Sequence, residues 1–234
     1  MYLGYGLGYL DSTYLLVILA FILTMIASFG VKATFAKYDK IRSARGITGH
    51  DAARRILDAN GLYNIRVERV SGSLTDHYSP KEGIIRLSDS TFNSDSVAAI
   101  GVAAHECGHA VQHQVGYVPI KIRNGIVPFV NICNTAAMPL FLIGIILGNS
   151  SLATVGALLF GAVLLFQLVT LPTEINASRR ALATIRSMGM LEGTEYKGAK
   201  KTLTAAAMTY VAAVAATALQ FLRLLLLANR NRRD

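Results

Sequence analysis

At 234 residues the chain has room for one or two domains, but it is 53% hydrophobic with a mean hydropathy of +0.43, too apolar for an ordinary soluble enzyme. A net charge of +9 and a pI near 9.7 would suit a nucleic-acid binder. The basic residues, however, sit beside long apolar blocks, which makes anionic lipid headgroups the expected partner and argues against nucleic acid.

The first block, Thr13 to Val31, is uncharged and long enough to cross a bilayer, for which about 20 apolar residues suffice. It lacks a basic leader and is longer than the apolar core of a secretory signal, so it reads as a retained anchor (residues 1–31) with its N-terminus outside, Asp11 being the only charge before it.

A segment expected to carry the chemistry follows, residues 32–123. Thr48 is a plausible N-cap, Asp51 falls in the first turn after it, and Gly61 marks the stop of a short helix. Ile65 to Val70 alternates apolar and charged residues, the period of a strand. Leu74 to Tyr78 and Ile84 to Leu87 flank the turn-rich Ser79-Pro80-Lys81-Glu82-Gly83 and predict a hairpin.

A longer helix is expected to start at Ser94 or Asp95 and run to about Gln114. It carries His105-Glu106-Cys107-Gly108-His109, an HExxH pattern. Residues i and i+4 share one helix face, so both imidazoles can reach one metal ion. Glu106, about a third of a turn away, faces the water that such an ion activates. A catalytic zinc site keeps three protein ligands and one open position. Cys107 lies at the wrong angle for that face and reads as a small buried filler; with Cys133 in an apolar span, a structural disulfide is not expected.

Gly125 to Leu147 and Leu152 to Leu171 form a predicted transmembrane hairpin (residues 124–171), the first arm made irregular by Pro128, Asn131, Asn134 and Pro139. Pro172 then suits the first turn of a new helix leaving the membrane, within a segment spanning residues 172–202. A last apolar block, Leu203 to Ala228, is interrupted by Arg223 and belongs to a C-terminal helix and basic tail, residues 203–234. Thirteen of the 23 Lys and Arg lie between Lys32 and Arg123, and six between Arg179 and Lys201. The positive-inside rule therefore puts the HExxH segment on the cytoplasmic side of the inner (cytoplasmic) membrane. Arg230, Arg232 and Arg233 would break that rule if the last block spans, and would obey it if the block only lies against the membrane.

The third metal ligand has several candidates. His113, eight residues after His105, is displaced by roughly 12 Å along the helix, too far to share an ion with bonds of about 2 Å. Gln112 and Val115 stand where a metzincin needs Gly and His, which removes that class. A glutamate on a later helix remains, and Glu174 is the leading one; the competing account is an ordinary acid at a helix N-terminus.

The stretches Leu74 to Tyr78, Ile84 to Ser88, Ala104 to Gln112 and Leu171 to Ser178 together resemble the bacterial neutral zinc metallopeptidase family, over nearly the whole chain. The resemblance favours Glu174 as ligand. Glu174-Ile175-Asn176-Ala177 is also similar, more distantly, to the ExxA motif of membrane gluzincins such as the heat-shock and prenyl-protein proteases. Those usually carry Asp where this chain has Ser178; the job of steadying a ligand histidine then falls to Ser178 or Asn176.

These readings combine into an α+β membrane protein, with transmembrane helices plus a small zincin-like cytoplasmic domain of helix, short antiparallel sheet, HExxH helix and Glu helix. One Zn2+ held by His105, His109 and Glu174 would polarise a peptide carbonyl while Glu106 acts as general base. Protein or peptide substrates, themselves membrane-associated, would pair with Ile84 to Leu87 as an edge strand. His77 and Tyr78 are candidates for oxyanion or substrate binding, with Tyr210 a further one. The alternative function is a catalytically silent protease-like scaffold that binds or chaperones membrane proteins. A transporter is disfavoured by the scarcity of polar residues in the spans.

Overall fold

Four helices of the computed structural model, which describes residues 13–230, are long and apolar enough to cross a membrane. They are α1 (Tyr14–Asp39), α5 (Val118–Ile146), α6 (Ser150–Ser187) and α7 (Gly193–Arg230). Between α1 and α5 lie α2 (Gly49–Ala59), β1 (Arg66–Val70), β2 (His77–Ser79), β3 (Ile84–Ser88), the short α3 (Asp89–Phe92) and α4 (Val97–Gln114). Asp11 and the Arg232–Arg233 tail lie outside the described residues. The chain divides into two compact units: one of Ser28–Ile122 with Thr170–Thr209, the other of the remaining described residues.

The second of these is built from apolar helix segments. Leu15, Phe21, Ile26 and Leu165 expose half or more of their surface, as lipid-facing side chains do, while small residues make the inner contacts. A Cβ on Gly144 would fall 2.3 Å from Ala153 N, and one on Gly156 2.4 Å from Phe141 N, so the α5 and α6 backbones touch where glycine permits. Leu224 and Ala228 of α7 join Phe141, Ala153 and Ala157 in one buried cluster. Neither Pro128 nor Pro139 breaks α5.

Pro172 likewise does not begin a helix. It lies inside α6, one continuous helix of 38 residues, so the expected separate segment starting at residue 172 is part of the same rod as the preceding span. Proline removes one backbone donor and leaves the Leu168 carbonyl without its usual partner. A long helix fastened on both sides of that point tolerates the loss of one bond among many.

In the other unit, α2 starts as expected: Thr48 accepts from Asp51 N at 3.1 Å, and Asp51 accepts from Thr48 N, a reciprocal capping box. The sheet differs from the expectation. Its order is β1-β3-β2, with β2 antiparallel to β3 as the hairpin predicts but β1 parallel to β3. The cause is in the link between β1 and β2. Asp76 accepts from Ser88 N at 2.8 Å and Ser88 Oγ at 2.9 Å, while Asp89 accepts from Arg69 Nε at 2.6 Å and Gly72 N at 3.1 Å. These bonds carry the chain across the end of β3 and set β2 on its far side. Thus Ile84 to Leu87 is the central strand with both edges taken, not the edge strand expected to receive a peptide. Consecutive Ile84 and Ile85, both buried, are the residue-level sign of a strand covered on two faces.

Fully buried Ile56, Leu57, Ile85, Leu87, Ile100 and Ile185 form the core beneath this sheet, each worth about 1.5–3 kcal/mol of burial. Helix α4 runs through it, and its cap is Ser96 rather than Ser94 or Asp95. Ser96 Oγ accepts from Ala99 N at 3.1 Å and donates to Asp39 Oδ1 at 2.9 Å, tying the start of α4 to the end of α1. Ser96→Ala should therefore lower unfolding stability by about 1–2 kcal/mol, while Ser94→Ala stays within about 0.5 kcal/mol of the parent, as read by denaturant unfolding in detergent.

Candidate metal centre

His105 and His109 stand one turn apart on α4, their ring centroids 4.7 Å apart and their planes at 84°. Gly108 lies between them against α6: a Cβ there would come within 2.6 Å of Ala177 O. Only a residue without a side chain lets the two backbones meet so closely, and the contact falls one turn beyond Glu174. The acid is thereby carried to the histidines. Its Oε2 lies 3.3 Å from His105 Nε2 and 3.4 Å from His109 Nε2, with side-chain exposures of only 4, 14 and 12% for Glu174, His105 and His109.

Two features of this group fit a metal. A tetrahedral ion with bonds of about 2.0–2.1 Å has donor atoms about 3.3 Å apart, which the two Glu174 distances match, and all three donors lie within 4.8 Å of one another. Glu174 Oε2 is also fully buried without a hydrogen-bond partner, an arrangement that costs several kcal/mol unless a cation compensates it. The local field agrees. Burial works to lower the His109 pKa, but the Glu174 carboxylate and the charge of Glu106 outweigh it and hold the imidazole above its ordinary value. Among the described residues this is the one cluster of three His, Cys, Asp or Glu side chains with such spacing.

The remaining expected residues fall as follows. Ser178 Oγ is 3.1 Å from His105 Nδ1, whereas Asn176 hydrogen-bonds Gln112 and Arg180. Glu106 is 8% exposed and has no ion-pair partner among the described residues, which leaves its carboxylate available. Cys107 is buried with Sγ 3.5 Å from Ala53 O, and burial pushes its thiol well up, so it is inert. His77 is exposed and its Nδ1 pairs with Thr75 O at 2.9 Å. Tyr78 is half-buried with its ring edge-on to His113, 6.3 Å between centroids; burial raises its pKa and keeps the phenol protonated. Tyr210 falls in the other unit.

One residue was not anticipated. Gln112 is fully buried, and its Oε1 lies 3.0 Å from His109 Nδ1. The available signal was a polar side chain one turn after the second histidine in an otherwise small and apolar helix.

The fold and site together give a chain with four candidate membrane-spanning helices and a buried HExxH-plus-glutamate group that could hold a metal ion. The family described as "Putative neutral zinc metallopeptidase" matches residues 13–229, and the chain belongs to it. It is 46% identical over 212 residues to the "Putative membrane protease YugP" of Bacillus subtilis (strain 168), covering 91% of this chain and 94% of that protein. No solved structure matches the chain.

The close approach at Gly108 makes a direct prediction. Gly108→Ala should displace α6, cost about 1–3 kcal/mol of stability and weaken zinc retention against a chelator by at least about tenfold. Gly125→Ala, whose new methyl meets open space inside α5, should leave zinc retention unchanged and not lower stability.

Proposed function

We propose that the chain is a zinc endopeptidase of the inner (cytoplasmic) membrane that hydrolyses peptide bonds in membrane-associated proteins or peptides at the cytoplasmic surface. The observation that carries this reading is the buried Glu174 carboxylate, whose Oε2 faces both imidazoles of an HExxH helix and makes no hydrogen bond of its own. A scaffold needs no such group and would gain stability by losing it.

His105, His109 and Glu174 would hold the ion. A zinc ion in that place supplies a Lewis acid that polarises the scissile carbonyl and makes a bound water acidic. Glu106, next to His105 and buried on the same helix, accepts the water proton and returns it to the leaving amine. Ser178 orients His105. The substrate backbone adds to β2, whose outer edge pairs with no strand among the described residues, rather than to the central β3. Tyr78, on that strand, is the better oxyanion donor of the two candidates because the His77 ring is already engaged with Thr75 O.

Two substitutions separate protease from scaffold. Glu106→Gln should keep about one zinc per chain yet lose about 10²–10⁴-fold in cleavage of a casein-type substrate, and Glu174→Ala should lose the zinc. Cleavage by Glu106→Gln at the parental rate would sink the mechanism; stoichiometric zinc in Glu174→Ala would sink the third ligand. The orientation is tested separately with topology reporters: one inserted at Asn149 should report the outside, and one at Lys81 the cytoplasm.

A further inference from the structure

The contacts of Gln112 form a one-way chain. Its amide nitrogen lies 2.8 Å from Thr173 O and 3.0 Å from Asn176 Oδ1. Asn176 Oδ1 in turn receives Arg180 Nε at 2.8 Å. An arginine only donates, so the Asn176 atom is an acceptor, the Gln112 atom facing it is the NH2 group, and the other Gln112 atom is the carbonyl oxygen. That oxygen can only accept, so His109 Nδ1 carries a hydrogen, and Nε2, on the Glu174 side, is the nitrogen left to ligate an ion. The Ser178 hydroxyl beside His105 can donate or accept, and fixes nothing comparable.

From this we infer that Gln112 is the positioning residue of the metal centre. It sets the ligating tautomer of His109 and ties that ring to the Thr173 carbonyl and the Asn176 side chain, which flank Glu174, with Arg180 fixing the polarity of the whole chain. Thr173 and Asn176 flank the acid in sequence, so one buried amide couples a ligand on α4 to the ligand on α6 before any ion arrives. Every hydrogen-bonding position on the amide used here is matched by a partner, in a residue with no exposed surface. The inference rests on the reading of His105, His109 and Glu174 as a zinc site.

The test uses the full chain in detergent, stripped of metal, with zinc affinity measured by competition against a chelating dye and the coordination sphere read from cobalt(II) absorption. Gln112→Leu should bind zinc about 10–100-fold more weakly and show an altered cobalt spectrum at saturation. Gln112→Glu, which keeps an oxygen for His109 Nδ1 but loses the donor to Thr173 O and Asn176 Oδ1, should restore the parental spectrum and only part of the affinity. Arg180→Met, at a partly buried position that leaves the amide in place, should weaken zinc several-fold and serves if Gln112→Leu does not fold. Zinc affinity within twofold of the parent in Gln112→Leu or Arg180→Met would overturn the inference, as would equal losses in the Leu and Glu variants. A parental chain that binds no zinc would instead overturn the zinc reading itself.

Discussion

A carboxylate withdrawn from water and aimed at two imidazole nitrogens is stable only when positive charge sits among the three. Glu174 is in that position, and the surrounding unit is arranged to keep it there. Withdrawing a carboxylate from water costs more than the packing around it returns, so a group arranged like this one could be compensated by a cation. An ion held there would be bound in the same equilibrium as folding, because the three side chains converge only in the native state.

The geometry that permits this is a matter of small atoms. Gly108 brings the α4 backbone onto the carbonyl of Ala177, and Ala177 and Ala181, both buried, keep the facing side of α6 thin. Across that narrow seam the polar side chains reach one another: Ser178 to His105, and Gln112 to His109 and the Glu174 turn. A larger residue at Gly108 would separate the donors by more than the tolerance of a coordination bond. The Ser96 cap and its bond to Asp39 hold the other end of the same helix, so α4 is pinned at its start and clasped in its second half.

Much of this was legible in the residues. The HExxH spacing, the Thr48 capping box, the β2–β3 hairpin and the apolar spans each follow from local rules of period and turn chemistry. Glu174 was not so local: it lies sixty-five positions after His109, and although its place on a later helix made it the leading candidate, it took the resemblance to a metallopeptidase family to favour it over an ordinary helix acid. The parallel placement of β1 depends on Asp76 and Asp89 bonding across the end of β3, and such long-range bonds leave no periodic trace. Pro172 misled because its usual meaning is a helix start, whereas a helix already anchored on both sides can absorb it. Gln112 was overlooked since a glutamine in a helix is ordinary until its burial is known.

The unbroken course of α6 has a consequence for how the gene can vary. A helix is a screw: each residue advances the chain about 1.5 Å and turns it by about 100°. Apolar span and Glu174 are cut on the same thread, so the number of residues between Leu171 and Ser178 is a phase as well as a length. One codon added there would swing Glu174 away from the imidazoles while leaving composition and hydropathy almost untouched. The Gly148–Asn149 turn, which interrupts the thread, has no phase to keep. Insertions should accumulate at that turn and be purged from the α6 stretch, even though neither region looks special by composition alone.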